Sequence, residues 1–485
     1  MPISAQTEQK YSTWTGLVYI FNLIVGTGAL TLPSVFSRAG WAAGVGLILV
    51  LAFMSFLTVT FVVESIAAAN ALLKWKRIQE RKSSDDHTNE HNDTTEDAEE
   101  DDPLVEQENL VNPTPLNFFC IEEKVELGQM AVLFFSRWGQ ILFYLCIIIY
   151  LYGDLAIYAA AISKSMTDVV CSLNIVNGTM NTTVPDSAPC WLDNPKYSRM
   201  DVYRAFLGLF LLLVGPFTFF NVQKTKYLQM FTSVMRWSAF SLMISIASAV
   251  LIKDGVQGHP PLATLSGLPA LFGACVYSFM CHHSLPGLIT PIKDKNRLYS
   301  SLLADYLLVV SFYLLLALTG VFAFNHLEDL YTLVFWQPGH ATGYFLALFP
   351  VLTLSTSFPV VAVTLRSNME ALAPSCGPWW LRRGFFPLLA ILPPLAVAFT
   401  TTDLSILVGV TGTYAGAGVQ YVIPAILVWC ARRQSKSALR LSSNECRFGS
   451  PFIGAGWVGL VLLWALAAVV LVTFNTIEKL EGKIN

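Results

Sequence analysis

The first residues with chemical potential interrupt a long apolar stretch near the N-terminus. Gly26, Thr27 and Gly28 lie in its middle, and Pro33 follows. Glycine permits non-helical backbone, and freed backbone groups at membrane depth are tolerated only where they line a polar cavity. A helix that begins there would direct the positive end of its dipole at an anion such as a carboxylate. The alternative is a close packing contact between two helices.

A second apolar stretch is interrupted at His282 and His283, which Pro286 and Gly287 follow. Neighbouring residues on a helix lie about 100° apart, so the two histidines cannot both face one cavity. A metal site is therefore not predicted. One reading is a buried, hydrogen-bonded histidine. The other is a proton-coupled histidine, and His283 is the candidate.

Polar side chains within other apolar stretches are the next candidates. Ionisable groups at membrane depth are costly and often functional, which directs attention to Glu64 and Asp154. Glu64 lies near one end of its stretch, whereas Asp154 lies deeper. Asp154 could couple transport to an ion or brace the helices. The hydroxyls around Thr353 and Thr356 could bind a hard cation or bond back to their own helix.

These residues need elements that hold them in a membrane. The chain is 54% hydrophobic and only 13% charged, against roughly 25% charged in a soluble domain. A membrane-spanning helix needs about 20 mostly apolar residues. Eleven runs qualify: 14–36, 42–72, 138–163, 203–221, 229–252, 265–290, 300–324, 342–364, 384–400, 404–430 and 454–475. We therefore predict an all-α integral membrane protein.

The two interrupted runs are the first and the sixth. This separation by five positions is what a five-plus-five inverted repeat with two broken helices predicts, with an eleventh helix added. The glycines of the tenth run, Gly409, Gly412, Gly416 and Gly418, have a spacing typical of close helix packing.

The distribution of the 30 Lys and Arg residues predicts the orientation. Most of them fall on the cytosolic side if the N-terminus is cytosolic, in agreement with the positive-inside rule. The predicted domains are a cytosolic N-terminus (1–13), a transmembrane domain (14–475) and a lumenal or extracellular C-terminal tail (476–485). Residues 74–117 are rich in Asp and Glu and predict a disordered cytosolic loop. The first apolar run is predicted to be a retained helix rather than a signal peptide.

The segment 164–202 is predicted to lie on the lumenal or extracellular side. It contains glycosylation acceptor motifs at Asn177 and Asn181, which are used only on that side. It also contains Cys171 and Cys190, for which a disulfide bond is expected. The alternative is that the acceptor motifs are there by chance.

Several motifs together resemble the amino acid/auxin permease family. The motifs shared with the wider family are Gly26-Thr27-Gly28 with Pro33 and Gly40-Trp41, and Tyr277-Ser-Phe-Met-Cys-His-His-Ser-Leu-Pro286. The motifs of a divergent branch of it, which is the closer match, are Tyr150-Leu-Tyr-Gly-Asp-Leu-Ala-Ile-Tyr158, Gly215-Pro-Phe-Thr-Phe-Phe220, Gln223-Lys-Thr-Lys-Tyr-Leu-Gln229, His283-Ser-Leu-Pro286 and Gln420-Tyr-Val-Ile-Pro424. The resemblance extends over nearly the whole chain apart from the acidic loop and the lumenal loop. It implies the eleven-helix inverted-repeat fold, with a substrate between the first and sixth helices.

The resemblance also implies roles for particular residues. A substrate carboxylate would bind the amides of Gly26, Thr27 and Gly28. The amino group would bind carbonyls and side chains at Tyr277, Ser278 and Phe279. Where family members use sodium, the site would lie near Asn22, Val25, Thr353 and Thr356. Asp154 is not typical of the wider family, so sodium and the proton both stay open as the coupling ion, with Asp154 and His283 as further candidates.

We therefore expect a secondary active transporter that moves a small solute, an amino acid by resemblance, by symport with sodium or a proton. The alternative is a sensor with a transporter fold that binds solute and signals through a cytosolic partner on 74–117. A membrane scaffold is a weaker reading, because helix breaks would add cost without function. No motif indicates an enzyme, an organic cofactor or nucleic-acid binding. Two sequences ending in Leu104-Val105 and Leu110-Val111 resemble acidic sorting signals and favour an endolysosomal membrane over the plasma membrane.

Overall fold

A computed structural model describes the chain over residues 10–89, 118–171, 175–176, 179–180, 185–191, 195–219, 226–337, 339–372, 384–439 and 446–484. Within these ranges nearly all the chain is helical. The exception is one antiparallel pair of two-residue strands, β1 (Ile175–Val176) and β2 (Thr179–Met180).

Helices of very different length make up most of the described part of the chain. In chain order they are α1 (Thr13–Ile24), α2 (Thr27–Ala39), α3 (Trp41–Asn89), α4 (Leu127–Phe134), α5 (Arg137–Val170), α6 (Arg199–Val214), α7 (Lys226–Asp254), α8 (Leu268–Ser278), α9 (Leu285–Ile289), α10 (Leu298–Ala323), α11 (Ala341–Leu372), α12 (Phe386–Thr400), α13 (Leu404–Thr411), α14 (Ile423–Ala438) and α15 (Ala455–Ile484). Short 3₁₀ segments occupy Gly215–Phe219, Leu265–Gly267 and Tyr331–Phe335.

All eleven predicted apolar runs coincide with helices in the described ranges. Eight helical segments there are long and apolar enough to cross a membrane, and the number is nine if the bent pair of α1 and α2 counts as one span. Two shorter apolar segments, Leu265–Ser278 and Phe386–Thr400, lie where the sixth and ninth spans are predicted. The all-helical membrane class is confirmed, and both short segments must cross for the count to reach eleven.

The predicted breaks are present at both positions. Between α1 and α2 the chain bends by 49° at Val25 and Gly26. In the sixth predicted span, α8 ends at Ser278 and α9 begins only at Leu285. Each break leaves backbone groups without partners in their own helix, so the fold has to satisfy them from neighbouring helices or with a ligand.

Glycines bring the tenth predicted span against the broken sixth. A Cβ atom added to Gly273 of α8 would overlap the carbonyl oxygen of Gly409, and one added to Gly412 would overlap the carbonyl oxygen of Gly273. The predicted close packing is therefore confirmed there. After α13 the helix widens into two π-helical turns, Gly412–Gly416 and Gly418–Val422.

Two predicted segment boundaries need correction. The loop was predicted to begin at residue 74, but α3 continues as a helix to Asn89. Arg77 stabilises this extension through a hydrogen bond from Nη2 to Oε2 of Glu123, at 2.7 Å. Residues 90–117 lie outside the described ranges. Similarly, α15 extends through most of the predicted tail to Ile484.

The predicted lumenal segment is shorter than 164–202, because α5 continues to Val170 and α6 begins at Arg199. Cys171 and Cys190 form a disulfide bond, so that prediction is confirmed. The bond ties the end of α5 to the segment before α6. Asn177 and Asn181 lie outside the described residues.

Candidate functional site

A cavity of about 380 Å³ lies at the first helix break. It is lined by parts of α1, α2, α5, α7, α8, α9 and α11. The lining residues are Tyr19, Asn22, Leu23, Ile24, Gly26, Thr27, Gly28, Lys124, Tyr150, Leu151, Asp154, Tyr158, Thr232, Arg236, Tyr277, Met280, His283, Ser284, Gly287, Leu288, Thr356, Ser357, Val360, Val361 and Thr364. The structure therefore brings residues of both predicted breaks into one cavity.

The break between α1 and α2 supplies backbone amides to this cavity. The first N–H groups of α2, at Thr27 and Gly28, have no acceptor within their own helix, and the N-terminal end of a helix attracts negative charge. A Cβ atom at Gly26 would meet no atom within 4 Å. A Cβ atom at Gly28 would lie 2.6 Å from Oγ of Ser278. Gly26 thus faces open space, whereas Gly28 packs tightly against α8.

Asp154 is the only carboxylate among the described lining residues. It lies on α5, is buried, and accepts hydrogen bonds from the hydroxyls of Tyr277 and Tyr158. Tyr158 is one helical turn further along α5, and Tyr277 comes from α8. The carboxylate therefore links the unbroken third predicted span to the broken sixth. Its predicted role in ion coupling stays a prediction.

The two histidines point in different directions, as their spacing predicts. His283 lines the cavity, 5.6 Å from the ring of Tyr150 between centroids. His282 is fully buried, and its Nε2 lies 2.9 Å from Oγ1 of Thr58 on α3. His282 thus fits the structural reading, and His283 is the one with access to a solute.

Three buried polar atoms on lining residues have no partner within the described structure. They are Oδ1 of Asn22, Oγ1 of Thr27 and Nδ1 of His283. Asn22 is 8% exposed and Thr27 is 4% exposed. A buried polar atom without a hydrogen bond costs about 1–3 kcal/mol. A polar solute in the cavity could offset this cost by bonding these atoms.

The predicted sodium ligands are only partly brought together. Thr356 lines the cavity, and its hydroxyl donates to the carbonyl oxygen of Thr353 at 2.8 Å. Thr353 is buried outside the lining and donates to the carbonyl oxygen of Phe349 at 3.0 Å. Val25 is buried beside the break. Both hydroxyls therefore bond back to their own helix.

Ser278 and Phe279 lie behind the cavity rather than on its wall. The carbonyl oxygen of Ser278 lies 2.8 Å from the hydroxyl of Tyr313, and that of Phe279 lies 3.4 Å from Oγ of Ser55. Of the three residues predicted to hold the amino group, Tyr277 alone lines the cavity. The carbonyl oxygens of the other two already have protein partners.

Arg236 is a lining residue that the sequence reading missed. It lies on α7, in the middle of the fifth predicted span, and its Nη1 donates to the carbonyl oxygens of Asn22 and Val25. A lone arginine in a predicted span is costly, and this signal was available in the sequence. Asp305 is a second missed group, a buried acid on α10 outside the cavity lining.

Glu64 forms a buried ion pair with Arg432 on α14. Its carboxylate accepts from Nε and Nη2 of Arg432, at 2.8 and 2.7 Å, and from the amide of Ser450 at 3.0 Å. This bidentate pair ties α3 to α14 away from the cavity. Glu64 is therefore a bracing residue and not part of the candidate site.

A second set of polar contacts joins α2 to α13 outside the cavity lining. Asp329, in the connection after α10, accepts from Arg38 at 2.7 Å, Ser405 at 2.8 Å and Ser34 at 3.2 Å. Burial opposes ionisation of this carboxyl, but Lys164, Arg38 and the two hydroxyls lower the pKa of Asp329 below its ordinary value of 3.8. This acceptor joins α2 to α13.

A polytopic membrane protein with a polar cavity at a broken helix is the class that this geometry defines. A model of the family described as transmembrane amino acid transporter protein matches residues 9–80 and 122–444. The chain therefore belongs to that family.

Full-length relatives support the same assignment. Human transmembrane protein 104 is 48% identical, with 97% of this chain and 98% of the relative covered. The Drosophila melanogaster homolog of transmembrane protein 104 is 46% identical over 97% of this chain and 98% of its own length. The Dictyostelium discoideum homolog is 34% identical over 96% and 97%.

Proposed function

We propose that the chain is a secondary active transporter that moves a small amino acid by alternating access. The observation that carries this proposal is the group of unpartnered buried atoms on Asn22, Thr27 and His283 beside the free amides of α2. A zwitterion fits such a cavity because it brings acceptors for the amides and donors for the unpartnered atoms. Membership of the transmembrane amino acid transporter family supports the substrate class.

In this proposal the carboxylate of the solute binds the amides of Gly26, Thr27 and Gly28. Its amino group lies toward Asp154 and Tyr277, the acidic side of the cavity. The carbonyl oxygens of Ser278 and Phe279 already have partners. We therefore assign the binding of the amino group to Asp154 rather than to these two residues.

The proposed fold has eleven spans, with the first ten arranged as a five-plus-five inverted repeat. The short segments Leu265–Ser278 and Phe386–Thr400 are then the sixth and ninth spans. The cavity extends to Lys124, Gly287 and Leu288, on the side where the distribution of basic residues predicts the cytosol. In this proposal the conformation therefore faces inward.

We also propose that the segment after α5 is lumenal and glycosylated at Asn177 and Asn181, in an endolysosomal membrane. A mobility shift after treatment with an N-glycosidase tests this, with the double variant Asn177→Gln/Asn181→Gln as the unglycosylated reference. Absence of a shift in the unaltered chain expressed in animal cells would count against the orientation. Colocalisation with lysosomal rather than plasma-membrane markers tests the compartment.

The direct test of transport is uptake into proteoliposomes that contain the purified protein. Labelled amino acids are supplied under a pH gradient and, separately, under a sodium gradient. The Gly26→Trp variant is the blank, because the indole would fill the open space at Gly26. Gradient-driven uptake that this variant lacks supports transport. Solute binding without uptake by folded protein would favour the sensor, with its cytosolic partner on 74–117.

A further inference from the structure

We infer that the guanidinium of Arg236 takes the place of a coupling sodium ion at the end of α1, so that transport is independent of sodium. This inference rests on the proposed transport function and narrows its coupling ion. It makes Arg236 a specificity-determining residue for the driving ion, and it leaves the proton as the ion that Asp154 carries.

The first argument is the position of the guanidinium. The sodium site expected from the family resemblance lies near Asn22, Val25, Thr353 and Thr356, where backbone carbonyl oxygens are the kind of ligand a hard cation binds. In the structure, Nη1 of Arg236 donates to the carbonyl oxygens of Asn22 and Val25, and the distance to that of Val25 is 3.4 Å. The two oxygens that would bind a metal ion therefore already bind a cation from the protein.

The second argument comes from the other carbonyl oxygens at the end of α1. The last four carbonyls of a helix have no partner within it. Here the carbonyl oxygen of Phe21 accepts from the amide of Val25 at 2.8 Å, and that of Ile24, 2.9 Å from the hydroxyl of Tyr313, shares this donor with Ser278. With Arg236 on Asn22 and Val25, the protein itself satisfies most of the oxygens at the break.

The third argument is that α7 is held in register with α1 on both sides of Arg236. Ser233, one turn earlier, accepts a hydrogen bond from Nδ2 of Asn22. Trp237, the next residue, stacks on the ring of Phe21 with centroids 4.4 Å apart. These contacts fix where the arginine side chain starts and direct it to the end of α1.

The fourth argument is charge. Within the described part of the chain, no carboxylate lies within 4 Å of the Arg236 guanidinium. Its positive charge is instead stabilised by the carbonyl dipoles at the C-terminal end of α1. A sodium ion bound to the same oxygens would lie beside a like charge, and this repulsion is strong where water is excluded.

The fifth argument is the state of the remaining predicted ligands. The hydroxyls of Thr353 and Thr356 donate to carbonyl oxygens of α11, and Thr353 does not line the cavity. A sodium site built from these residues would thus have to displace Arg236 before it could use the α1 carbonyls.

The test measures sodium binding separately from transport. Thermal unfolding of the purified, unaltered chain is followed in sodium chloride and in choline chloride at equal ionic strength. We expect the same melting temperature in both salts, and uptake under a pH gradient that does not change when choline replaces sodium. A saturable rise in melting temperature with sodium, or uptake that requires sodium, would overturn the inference.

Variants assign the effect to Arg236. Arg236→Ala should lower uptake at least about tenfold, because it leaves two buried acceptors unpaired, and added guanidinium ion should restore part of it. Arg236→Lys keeps the charge and should stay independent of sodium, so it tests the inference even if the alanine variant does not fold. Arg366→Ala is the matched control, since Arg366 donates to the carbonyl oxygen of Thr218 outside the cavity lining.

The outcomes separate the two proposals. Absence of uptake by the unaltered chain under any gradient would contradict the transport function, while the thermal measurement would still report on Arg236. Sodium-driven uptake would support transport and contradict the role of Arg236. Guanidinium rescue of Arg366→Ala to the same extent as Arg236→Ala would also contradict that role.

Discussion

The hydroxyl of Tyr313 lies 2.8 Å from the carbonyl oxygen of Ser278. The same hydroxyl lies 2.9 Å from the carbonyl oxygen of Ile24. Ile24 ends α1 and Ser278 ends α8, so one side chain on α10 contacts the carbonyl ends of both broken helices. A hydroxyl has a single proton, and the two acceptors compete for it. Tyr313 therefore connects the two breaks through one shared donor.

Tyr313→Phe should impair transport more than it impairs folding. The change leaves buried acceptors unpaired, at about 1–3 kcal/mol, at the point where both half-helices end. Tyr299→Phe is the matched control, because Tyr299 lies on the same helix and donates to the carbonyl oxygen of Phe448 at 2.6 Å, outside the cavity lining. Thermal unfolding and initial uptake are measured for both. Equal losses of uptake in the two variants would contradict a role specific to the breaks.

Asp154→Asn should abolish accumulation driven by a pH gradient, while exchange of substrate across the membrane continues at a higher KM, because the amide oxygen still accepts from the amino group but carries no charge. Asparagine keeps the shape of the side chain, but its amide does not take up or release a proton near neutral pH. Asp305→Asn is the control, since Asp305 is also a buried acid in a span but does not line the cavity. Counterflow assays separate exchange from accumulation. Accumulation against a gradient by Asp154→Asn would exclude Asp154 as the proton carrier.

The two glycines of the first break should respond differently to alanine. At Gly28 the new Cβ atom would lie 2.6 Å from Oγ and 2.8 Å from Cα of Ser278, and such overpacking costs about 1–3 kcal/mol. At Gly26 it would meet no atom within 4 Å. Gly28→Ala should therefore lower the melting temperature clearly, whereas Gly26→Ala should not. Melting curves of both variants in the same detergent decide this, and similar losses would contradict the packing geometry.

Two adjacent acids in the connection after α10 should affect stability with opposite signs. Burial raises the pKa of Glu328 above its ordinary 4.5, even though Lys164 lies 3.7 Å away. A carboxyl with a raised folded-state pKa costs stability when it is ionised, and the cost disappears as the pH falls through that value. Glu328→Gln should therefore raise the melting temperature at neutral pH and have little effect below about pH 4.5.

Asp329 should behave in the reverse way. Although burial disfavours its charge, Lys164, Arg38 and two hydroxyls lower the pKa of Asp329 below 3.8. Its stabilisation is present above that ordinary value and is lost as the pH falls through the lower folded-state value. Asp329→Asn should destabilise the protein by about 2 kcal/mol at neutral pH, and less in acid. Melting temperatures of both variants are measured from about pH 3 to about pH 8, in steps of about one pH unit. They show whether the two substitutions change stability with opposite signs.

The sequence predicted the breaks well because glycine, proline and adjacent polar residues in an apolar run leave a local signal. Gly26 and His283 both line the cavity for that reason. Ser278 and Phe279 were placed by analogy with the motif, but the direction of a side chain near a helix end depends on tertiary packing. Tyr313 and Ser55 occupy their carbonyl oxygens from other helices, and no local pattern reports this.

Arg236 is a second case in which tertiary contacts, and not the local sequence, decide the role of a residue. Its position in a span marked it as costly, but its partners are two carbonyl oxygens at least 200 residues away in sequence. Backbone acceptors are present at every residue, so the residue types do not reveal them.

The predicted loop boundary at residue 74 is wrong for a different reason. The helix α3 does not stop where its apolar residues end, because charged residues sustain helices in water.

The 49° bend between α1 and α2 has a consequence for selectivity. In the proposed transporter, the bend would present the backbone of Gly26, Thr27 and Gly28 to the part that all amino acids share. Discrimination among amino acids would then be left to apolar lining residues away from the bend, such as Leu151, Val360 and Val361. Substrate preference could therefore be changed by exchanging wall residues while the machinery that recognises the common part stays intact.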